Sequence, residues 1–251
     1  MIKLFAANWK MHKTAAEARQ TASDLVRLAA AKLPQGREVL ILPPFTALAA
    51  VREGLGGAPR FALGGQNFYP QKQGAFTGEI APAMLQDQGA AYALTGHSER
   101  RHVLGESDAF VGQKTAFGLE AGLTIILCVG EKIEERRADK LGEVLARQLA
   151  AGVAGVPRDI APERLVIAYE PVWAIGTGEV AGPKEILEAH ALVRAQLKDL
   201  FGGAAAAMRI LYGGSVKPGN TSEIIALDNV DGVLVGGASL TADDFSRIVL
   251  A

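Results

Sequence analysis

A glutamate directly followed by a proline stands in the segment AYEPVWAIGTGEVAGP, residues 168–183. Proline cannot donate to a sheet ladder and favours an extended conformation for the residue before it, so Glu170 is predicted to end a strand. There, a carboxylate can remove a proton from carbon if desolvation strengthens it and a developing oxyanion is stabilised nearby. The alternative is an ordinary solvated or ion-paired glutamate. Gly176 and Gly178 then indicate a loop with unusual backbone freedom, able to cover the site.

A histidine stands within TGHSERR, residues 95–101, which is predicted to be a strand end followed by one helical turn. The positive end of the helix dipole disfavours an imidazolium, so His97 is expected to be neutral and to donate a hydrogen bond. Such a donor suits an enediolate oxygen because their acidities are similar. A hydrogen-bonded core histidine is the alternative. No catalytic role is predicted for His12, His102 or His190.

Two glycine pairs follow late apolar runs: Gly213 and Gly214 stand before Ser215, and Gly236 precedes Gly237. Backbone amides in such turns approach a phosphate closely, and a helix N-terminus adds a favourable dipole. Barrels frequently bind phosphate at the corresponding place. Tight turns that need positive φ are the alternative. The two pairs together predict a substrate that carries a phosphate.

The segment ANWKM, residues 7–11, places an amide and an ammonium at the end of the first apolar run. Beside phosphate-binding turns, Lys10 would neutralise a dianion, and Asn8 would orient the substrate or Lys10. A surface lysine without a role is the alternative.

The elements that must position these residues are short apolar runs alternating with amphipathic stretches. The runs are nearly continuous, as expected for strands covered on both faces. The predicted strands are residues 3–8, 38–42, 61–65, 91–95, 124–129, 165–169, 209–212 and 231–235.

Apolar residues at helical spacing predict helices over residues 14–33, 133–153 and 182–201, and a last helix capped by Thr241. GGAAAA, residues 202–207, is predicted to be a loop. Eight strands, each followed by a helix, in about 250 residues predict a single-domain (β/α)8 TIM barrel over residues 1–251. A doubly wound open sheet is the alternative. In a barrel, catalytic groups gather where strands end.

Composition limits the classes of function. The 251 residues carry a formal net charge of −1, with 49% hydrophobic and 21% charged residues, which is ordinary for a soluble globular protein. Near-neutral charge favours neither nucleic acid nor anionic membrane as a partner. Cys128 is the only cysteine, so a disulfide framework is excluded and a reducing compartment is expected. With neither a signal peptide nor a membrane span recognisable, we expect a cytoplasmic protein.

Taken together, these segments resemble the triosephosphate isomerase family. The matching motifs are ANWKM, GQNFYPQKQGAFTGEI, TGHSERR, CVGEK, AYEPVWAIGTG, YGGSVKPGN and DGVLVGGASL, in family order along the chain. The resemblance implies interconversion of dihydroxyacetone phosphate and D-glyceraldehyde 3-phosphate through an enediolate, in glycolysis and gluconeogenesis, with no metal or cofactor. Glu179 stands where the family often has lysine.

The resemblance also assigns roles to residues. Glu170 would be the base and His97 the electrophile, while Lys10 would hold the phosphate and stabilise negative charge. Glu99 and Ser98 would support the site, with Glu99 acting on Lys10. The substrate-binding set would be Asn8, Lys10, Gly176, Ser215, Gly236 and Gly237. The lid would comprise Pro171, Val172, Trp173, Ala174, Ile175, Gly176, Thr177 and Gly178.

Residues 66–80 form a segment that is long for a βα loop, and long ordered loops are usually functional. In the family this loop inserts into a neighbouring subunit, so the resemblance implies a homodimer. Thr77 would reach the partner's active site, with Gln66 and Asn67 also at the interface. An exposed flexible loop is the alternative.

Three rival functions are compatible with parts of the sequence. GTGEVA, residues 176–181, fits a weak dinucleotide-binding pattern, but a Rossmann turn should directly follow its strand. Lys10 could form a Schiff base in an aldolase. The barrel could also bind phosphate without catalysis.

Overall fold

The computed structural model describes residues 1–174 and 181–251. Within these ranges eight parallel strands form a closed barrel in sequence order, and pairing of the first strand with both the second and the eighth completes the circle. The predicted (β/α)8 barrel is confirmed, and the open sheet is excluded. The strands are β1 (Lys3–Asn8), β2 (Arg37–Leu42), β3 (Phe61–Gly65), β4 (Tyr92–Thr95), β5 (Thr124–Val129), β6 (Leu165–Tyr169), β7 (Ile210–Tyr212) and β8 (Gly232–Val235).

Helices connect the strands and start on the side where the strands end. Thr14 caps the first by accepting from the Glu17 amide, and the Glu17 side chain returns the bond as a capping box. Thr241 caps the last, as predicted. The described helices are α1 (Ala15–Ala29), α2 (Leu48–Leu55), α3 (Pro82–Asp87), α4 (Ser98–His102), α5 (Asp108–Glu120), α6 (Ile133–Arg137), α7 (Leu141–Gly152), α8 (Pro183–Phe201), α9 (Thr221–Ala226) and α10 (Ala242–Leu250).

Two sequence predictions about helices were wrong. The helix predicted over residues 133–153 is two helices, because Asp139 adopts a left-handed backbone with φ 56° between α6 and α7. Residues 202–207 form a 3₁₀ helix, not a loop. Gly202, with φ 59°, ends α8, and the alanines that follow favour helical angles.

Each strand contributes to two apolar layers. Alternate strand residues fill the barrel interior, and the others pack against the helices. Burial on both faces explains why the strands are nearly continuous apolar runs. Cys128 belongs to the interior layer and is fully buried. Burial, reinforced by the nearby Glu170 carboxylate, raises the pKa of its thiol well above the usual value.

The amino ends of the strands are joined by a charged cluster. Arg209 donates through Nη1 to Glu38 Oε2 at 2.9 Å and through Nη2 to the Tyr92 hydroxyl at 3.3 Å. That hydroxyl donates to Glu38 Oε1 at 2.9 Å. The cluster links β2, β4 and the residue before β7.

None of the described helices has the combination of length and apolarity that spanning a bilayer requires.

Candidate active site

A cavity of about 390 Å³ opens at the carboxyl ends of the strands. It gathers side chains and turns that are far apart in the sequence, from the ends of β1, β4, β6, β7 and β8. The sequence-predicted residues that line it are Asn8, Lys10, His97, Glu170, Ala174, Gly213, Gly214, Ser215, Gly236 and Gly237. Gly176 lies outside the described residues.

Glu170 directly follows β6 and is only 2% exposed. Its backbone N–H donates to Val129 O at 2.7 Å, which fixes it against the end of β5. Its carboxylate accepts from the Ser98 N–H at 2.9 Å and from the Ser98 hydroxyl at 3.4 Å. These donors are neutral, so the buried charge is hydrogen-bonded but not neutralised by them. Such a carboxylate is a candidate general base.

His97 is the N-cap residue of α4 and is buried. The Glu99 N–H donates to His97 Nδ1 at 3.3 Å, so Nδ1 carries no proton. The proton of the neutral ring therefore lies on Nε2, 3.1 Å from Glu170 Oε1. This tautomer is assigned from the hydrogen bonds. The ring thus offers a neutral donor at the position where the helix terminus predicts one.

Lys10 has a left-handed backbone, with φ 50°, which costs about 1 kcal/mol for a residue other than glycine. Asn8 Oδ1 accepts from its N–H at 3.0 Å, and Gln66 Nε2 donates to its carbonyl at 2.9 Å, so neighbours on both sides hold this conformation. Its ammonium lies 2.6 Å from Glu99 Oε1. The strained backbone points to a site residue held in place for function.

The Glu99 carboxylate is half-exposed. Burial acts to raise its pKa, but the hydrogen bond from Lys10 and the charge of that ammonium act in the opposite direction, and the pKa is held below the usual value. Glu99 therefore stays ionised beside the ammonium of Lys10, and it contacts the site through that lysine.

The two glycine pairs differ in their surroundings. A Cβ on Gly214 would lie 2.2 Å from the Tyr212 hydroxyl, and one on Gly213 would lie 3.0 Å from Glu170 Cγ. Glycine is needed at that turn for close packing. Gly237 has no atom within 4 Å of such a Cβ and begins a 3₁₀ turn, so its surroundings leave room for a ligand. A Cβ on Gly236 would lie 3.4 Å from Lys10 Cε, so this turn and the ammonium share one corner of the cavity.

The family model for triosephosphate isomerase matches residues 3–251. The chain belongs to the triosephosphate isomerase family. It is 64% identical, over the full length of both chains, to the triosephosphate isomerase of Nitratidesulfovibrio vulgaris (strain DSM 19637 / Miyazaki F). The corresponding enzyme of Oleidesulfovibrio alaskensis is 62% identical, again over both full lengths.

A solved structure gives the same result. The crystal structure of triosephosphate isomerase from Bartonella henselae superposes with a TM-score of 0.88 at 39% identity, covering 99% of this chain and 98% of that one. The chain is therefore an isomerase, and the aldolase and the non-catalytic barrel find no support in these comparisons.

Sequence reasoning assigned no role to Glu131, which this isomerase buries completely. Its Oε1 accepts from Trp173 Nε1 at 2.8 Å and from the Tyr169 hydroxyl at 3.1 Å. Burial raises the pKa of Glu131. The signal available was an acidic residue two positions after a buried strand, within CVGEK. Through its contact with Trp173, Glu131 joins the first part of the predicted lid to the end of β5.

The first four residues of the predicted lid are described, and Val172–Ala174 form a short 3₁₀ turn. The Val172 N–H donates to Glu131 O at 3.1 Å. Ile175, Gly176, Thr177 and Gly178 lie outside the described residues.

The loop of residues 66–80 is closed by the Tyr69 N–H, which donates to Ile80 O at 2.8 Å. The rings of Tyr69 and Phe76 pack 4.4 Å apart. Thr77 is exposed at the outer part of this loop. Gln66 and Asn67 make contacts within the chain: Gln66 donates to the carbonyls of Lys10 and Leu42, and Asn67 accepts from buried Lys114. Their place at an interface stays a prediction.

Proposed function

We propose that the isomerase interconverts dihydroxyacetone phosphate and D-glyceraldehyde 3-phosphate with Glu170 as the base and His97 as the electrophile. The observation that carries the proposal is the 3.1 Å approach of His97 Nε2 to Glu170 Oε1 in one buried cavity. A base and a neutral donor at this separation can act on neighbouring atoms of a three-carbon substrate.

The reaction begins when Glu170 takes a proton from C1 of dihydroxyacetone phosphate. Electrons move into the carbonyl, and the developing oxyanion accepts a hydrogen bond from His97 Nε2. A glutamate base paired with a neutral histidine at a helix N-terminus is the arrangement by which this family is known, so it serves as a template and not as independent support. His97 transfers a proton between the two oxygens of the enediolate. Glu170 then returns its proton to C2, which gives glyceraldehyde 3-phosphate.

The phosphate is proposed to lie against the amides of Ser215, Gly236 and Gly237, with Lys10 beside it. The proximity of Lys10 Cε to the Gly236 turn supports this corner of the cavity as the anion site. Gly176 is proposed as a further contact from the lid. Substrate must displace Ser98 and His97 from the Glu170 carboxylate, because those groups occupy its oxygens here.

We expect Glu170→Asp to test the base directly. Shortening the side chain by one methylene withdraws the carboxylate by about 1 Å, which should lower kcat by roughly a hundredfold or more. The assay couples each triose phosphate to a nicotinamide-dependent dehydrogenase, and circular dichroism confirms the fold. Glu53→Asp, at an exposed ion pair with Arg19, is the matched control. An unchanged rate in Glu170→Asp would refute the assigned base.

Borohydride discriminates the rival aldolase. A Schiff base on Lys10 would be trapped covalently when substrate and borohydride are added together, and mass spectrometry would locate the adduct. The isomerase mechanism forms no bond to Lys10, so no adduct is expected.

A homodimer is proposed as the working form, in the cytoplasm. A second cavity of about 420 Å³ adjoins the first at Lys10 and is lined by Met11, Phe45 and Leu104. Met11 is 95% exposed and Leu104 62%, so this surface leaves apolar area for a partner to cover. The ordered loop of residues 66–80 from a second copy is the proposed occupant, with Thr77 leading.

Sedimentation velocity tests the dimer. Wild type should sediment as a dimer of the 26.3 kDa chain, and Thr77→Arg should shift it toward the monomer and lower kcat. Lys72→Arg, in the same loop, is the control. A monomeric wild type with full activity would contradict the proposal.

A further inference from the structure

Arg101 is a buried cation close to, but not part of, the proposed catalytic pair. It lies in α4, four residues after His97, and its side chain is 5% exposed. Its guanidinium donates through Nε to Gly96 O at 2.7 Å and through Nη2 to Cys128 O at 3.1 Å. Its third contact is an ion pair with Asp108 of α5.

The two carbonyls belong to the segments that carry the catalytic groups. Gly96 is the residue before His97. Cys128 lies in β5, and the next residue, Val129, accepts the Glu170 N–H at 2.7 Å. Arg101 therefore joins the backbone on the His97 side to the strand end that holds the Glu170 backbone.

Gly96 is shaped for this contact. Its φ is 68°, and a Cβ at this position would lie 2.6 Å from Arg101 Nη2 and 2.8 Å from Val111 Cγ1. Only glycine allows the guanidinium to approach the backbone so closely and also favours the left-handed angle. Asp108 is in turn ion-paired with Arg147, which keeps the acid in place.

We propose that Arg101 is a positioning residue that sets the alignment of His97 with Glu170 by bridging the ends of β4 and β5. The inference rests on the proposed function, since it acts through those two groups. Guanidinium is suited to the task because its planar fork presents donors in fixed directions. Errors of about 1 Å in such alignment cost roughly a hundredfold in rate.

The surroundings of Arg101 act on its pKa in two opposite directions. Burial lowers the pKa of Arg101, and the charges of Asp108 and Glu170 oppose this shift. The guanidinium is thus close enough to the Glu170 carboxylate to interact with its charge, without forming an ion pair with it.

Arg101→Lys tests the bridge, because an ammonium keeps the charge but lacks the fork. The matched control is Arg164→Lys: Arg164 Nη2 also donates to two carbonyls, Leu119 O at 2.9 Å and Leu123 O at 2.8 Å, but it precedes β6 at the amino ends of the strands. We expect both variants to lose thermal stability to a similar degree. Only Arg101→Lys should lower kcat, by roughly ten- to a hundredfold, with KM changed less than about twofold since the phosphate turns are untouched.

A second readout separates positioning from general stability. The ¹⁵N and ¹H resonances of His97 Nε2–H report its hydrogen bond, and they should shift in Arg101→Lys and stay unchanged in Arg164→Lys. Asp108→Asn weakens one contact of Arg101 without replacing it, and it should shift the same resonances and lower kcat by a smaller factor. If Arg101→Lys fails to fold, Asp108→Asn still tests the bridge by the same two measurements.

The outcomes are distinguishable. If wild type is active and the kcat and His97 resonances of Arg101→Lys and Asp108→Asn match those of the Arg164→Lys control, the bridge is refuted while the proposed function stands. If wild type lacks isomerase activity, both fall. A selective loss of kcat with shifted His97 resonances supports the bridge.

Discussion

A glutamate lies at each end of the barrel, and the two carboxylates differ in the groups that contact them. At the amino ends of the strands, Glu38 is 25% exposed in its side chain and still receives an ion pair from Arg209 and a hydrogen bond from Tyr92. At the carboxyl ends, Glu170 is 2% exposed, yet its donors are the Ser98 N–H, the Ser98 hydroxyl and the neutral His97 ring.

Burying a charge without a cation is costly. Nevertheless Glu38 is ion-paired with an arginine, whereas Glu170, the more deeply buried carboxylate, has only the neutral His97 ring in place of a cation among the described residues. A stable fold would favour the arrangement around Glu38. A general base must instead be free of a cation that neutralises it, and the neutral donors around Glu170, the proposed base, meet this requirement. The amino end therefore stabilises the barrel, and the proposed active site at the carboxyl end would hold a buried charge at a cost in stability.

Parallel substitutions of the two glutamates should separate these roles most strongly. Glu170→Gln should lower kcat by about a thousandfold, because the amide cannot accept the proton. It should leave the free energy of unfolding unchanged or raise it by about 1 kcal/mol, since a buried charge is removed. Coupled assays and urea denaturation measure the two quantities.

Glu38→Gln should behave in the reverse manner. Loss of the ion pair with Arg209 should lower the free energy of unfolding by about 2 kcal/mol, a value reduced for the partial exposure of Glu38. The kcat of the folded enzyme should be unchanged. Equal effects of both substitutions on kcat would break the comparison.

Two glycines, Gly130 at the carboxyl ends of the strands and Gly232 at the amino ends, allow the two ends to be compared through the backbone. A Cβ on Gly130 would lie 1.7 Å from Glu170 O, and one on Gly232 would lie 2.0 Å from Leu4 O. Replacement of either by alanine should lower the free energy of unfolding by about 3 kcal/mol, because two backbones must separate. Only Gly130→Ala should also reduce kcat, by more than roughly tenfold, as Glu170 moves. If Gly232→Ala reduces kcat equally, the strand ends are not independent.

A third test concerns His190, a buried histidine outside the site. His190 donates from Nδ1 to Asn229 O at 2.8 Å, and its Nε2 has no partner among the described residues. Burial is the first cause that lowers its pKa, from 6.5 to about 4. The unfolded chain therefore binds a proton below pH 6.5 that the native state refuses, so stability falls as pH falls from about 6.5 to about 4.

The expected loss from this histidine is about 3 kcal/mol between pH 7 and pH 4. Urea denaturation across this range should show the loss in wild type and a shallower pH dependence in His190→Gln. Identical slopes in the two proteins would contradict a neutral buried His190.

The smallest effect concerns a helix cap at the same end as the site. Thr14→Ala removes the capping box of α1 and should lower the free energy of unfolding by about 1 kcal/mol, with kcat unchanged. Thermal denaturation and the coupled assay check both parts. A fall in kcat would show that the carboxyl end as a whole, and not only the cavity residues, governs reactivity.

The strands were predictable because burial on both faces leaves an unbroken apolar run, and each boundary agrees within one residue. The break at Asp139 was not predictable, since apolar spacing continues across it and only the backbone angle changes. Residues that lie at strand ends, such as Glu170 and His97, could be selected from the topology that the strands imply.

The contacts that hold those residues could not be selected in this way. Arg101 bonds to backbone carbonyls, which carry no sequence signature, and Glu131 meets Trp173 across 42 positions of sequence. Gly130 is glycine because the carbonyl of Glu170, which directly follows β6, passes beside it. Such requirements arise only when distant segments are brought together in space.

The enclosure of Cys128 in the barrel interior makes this thiol a natural probe of barrel opening. Alkylating reagents attack thiolate, and this thiol is both inaccessible and held in its protonated form by its surroundings. Since no other cysteine competes, the rate at which native protein incorporates one equivalent of reagent measures how often the strands part. Labelling kinetics can thus follow transient opening of the barrel without any engineered probe.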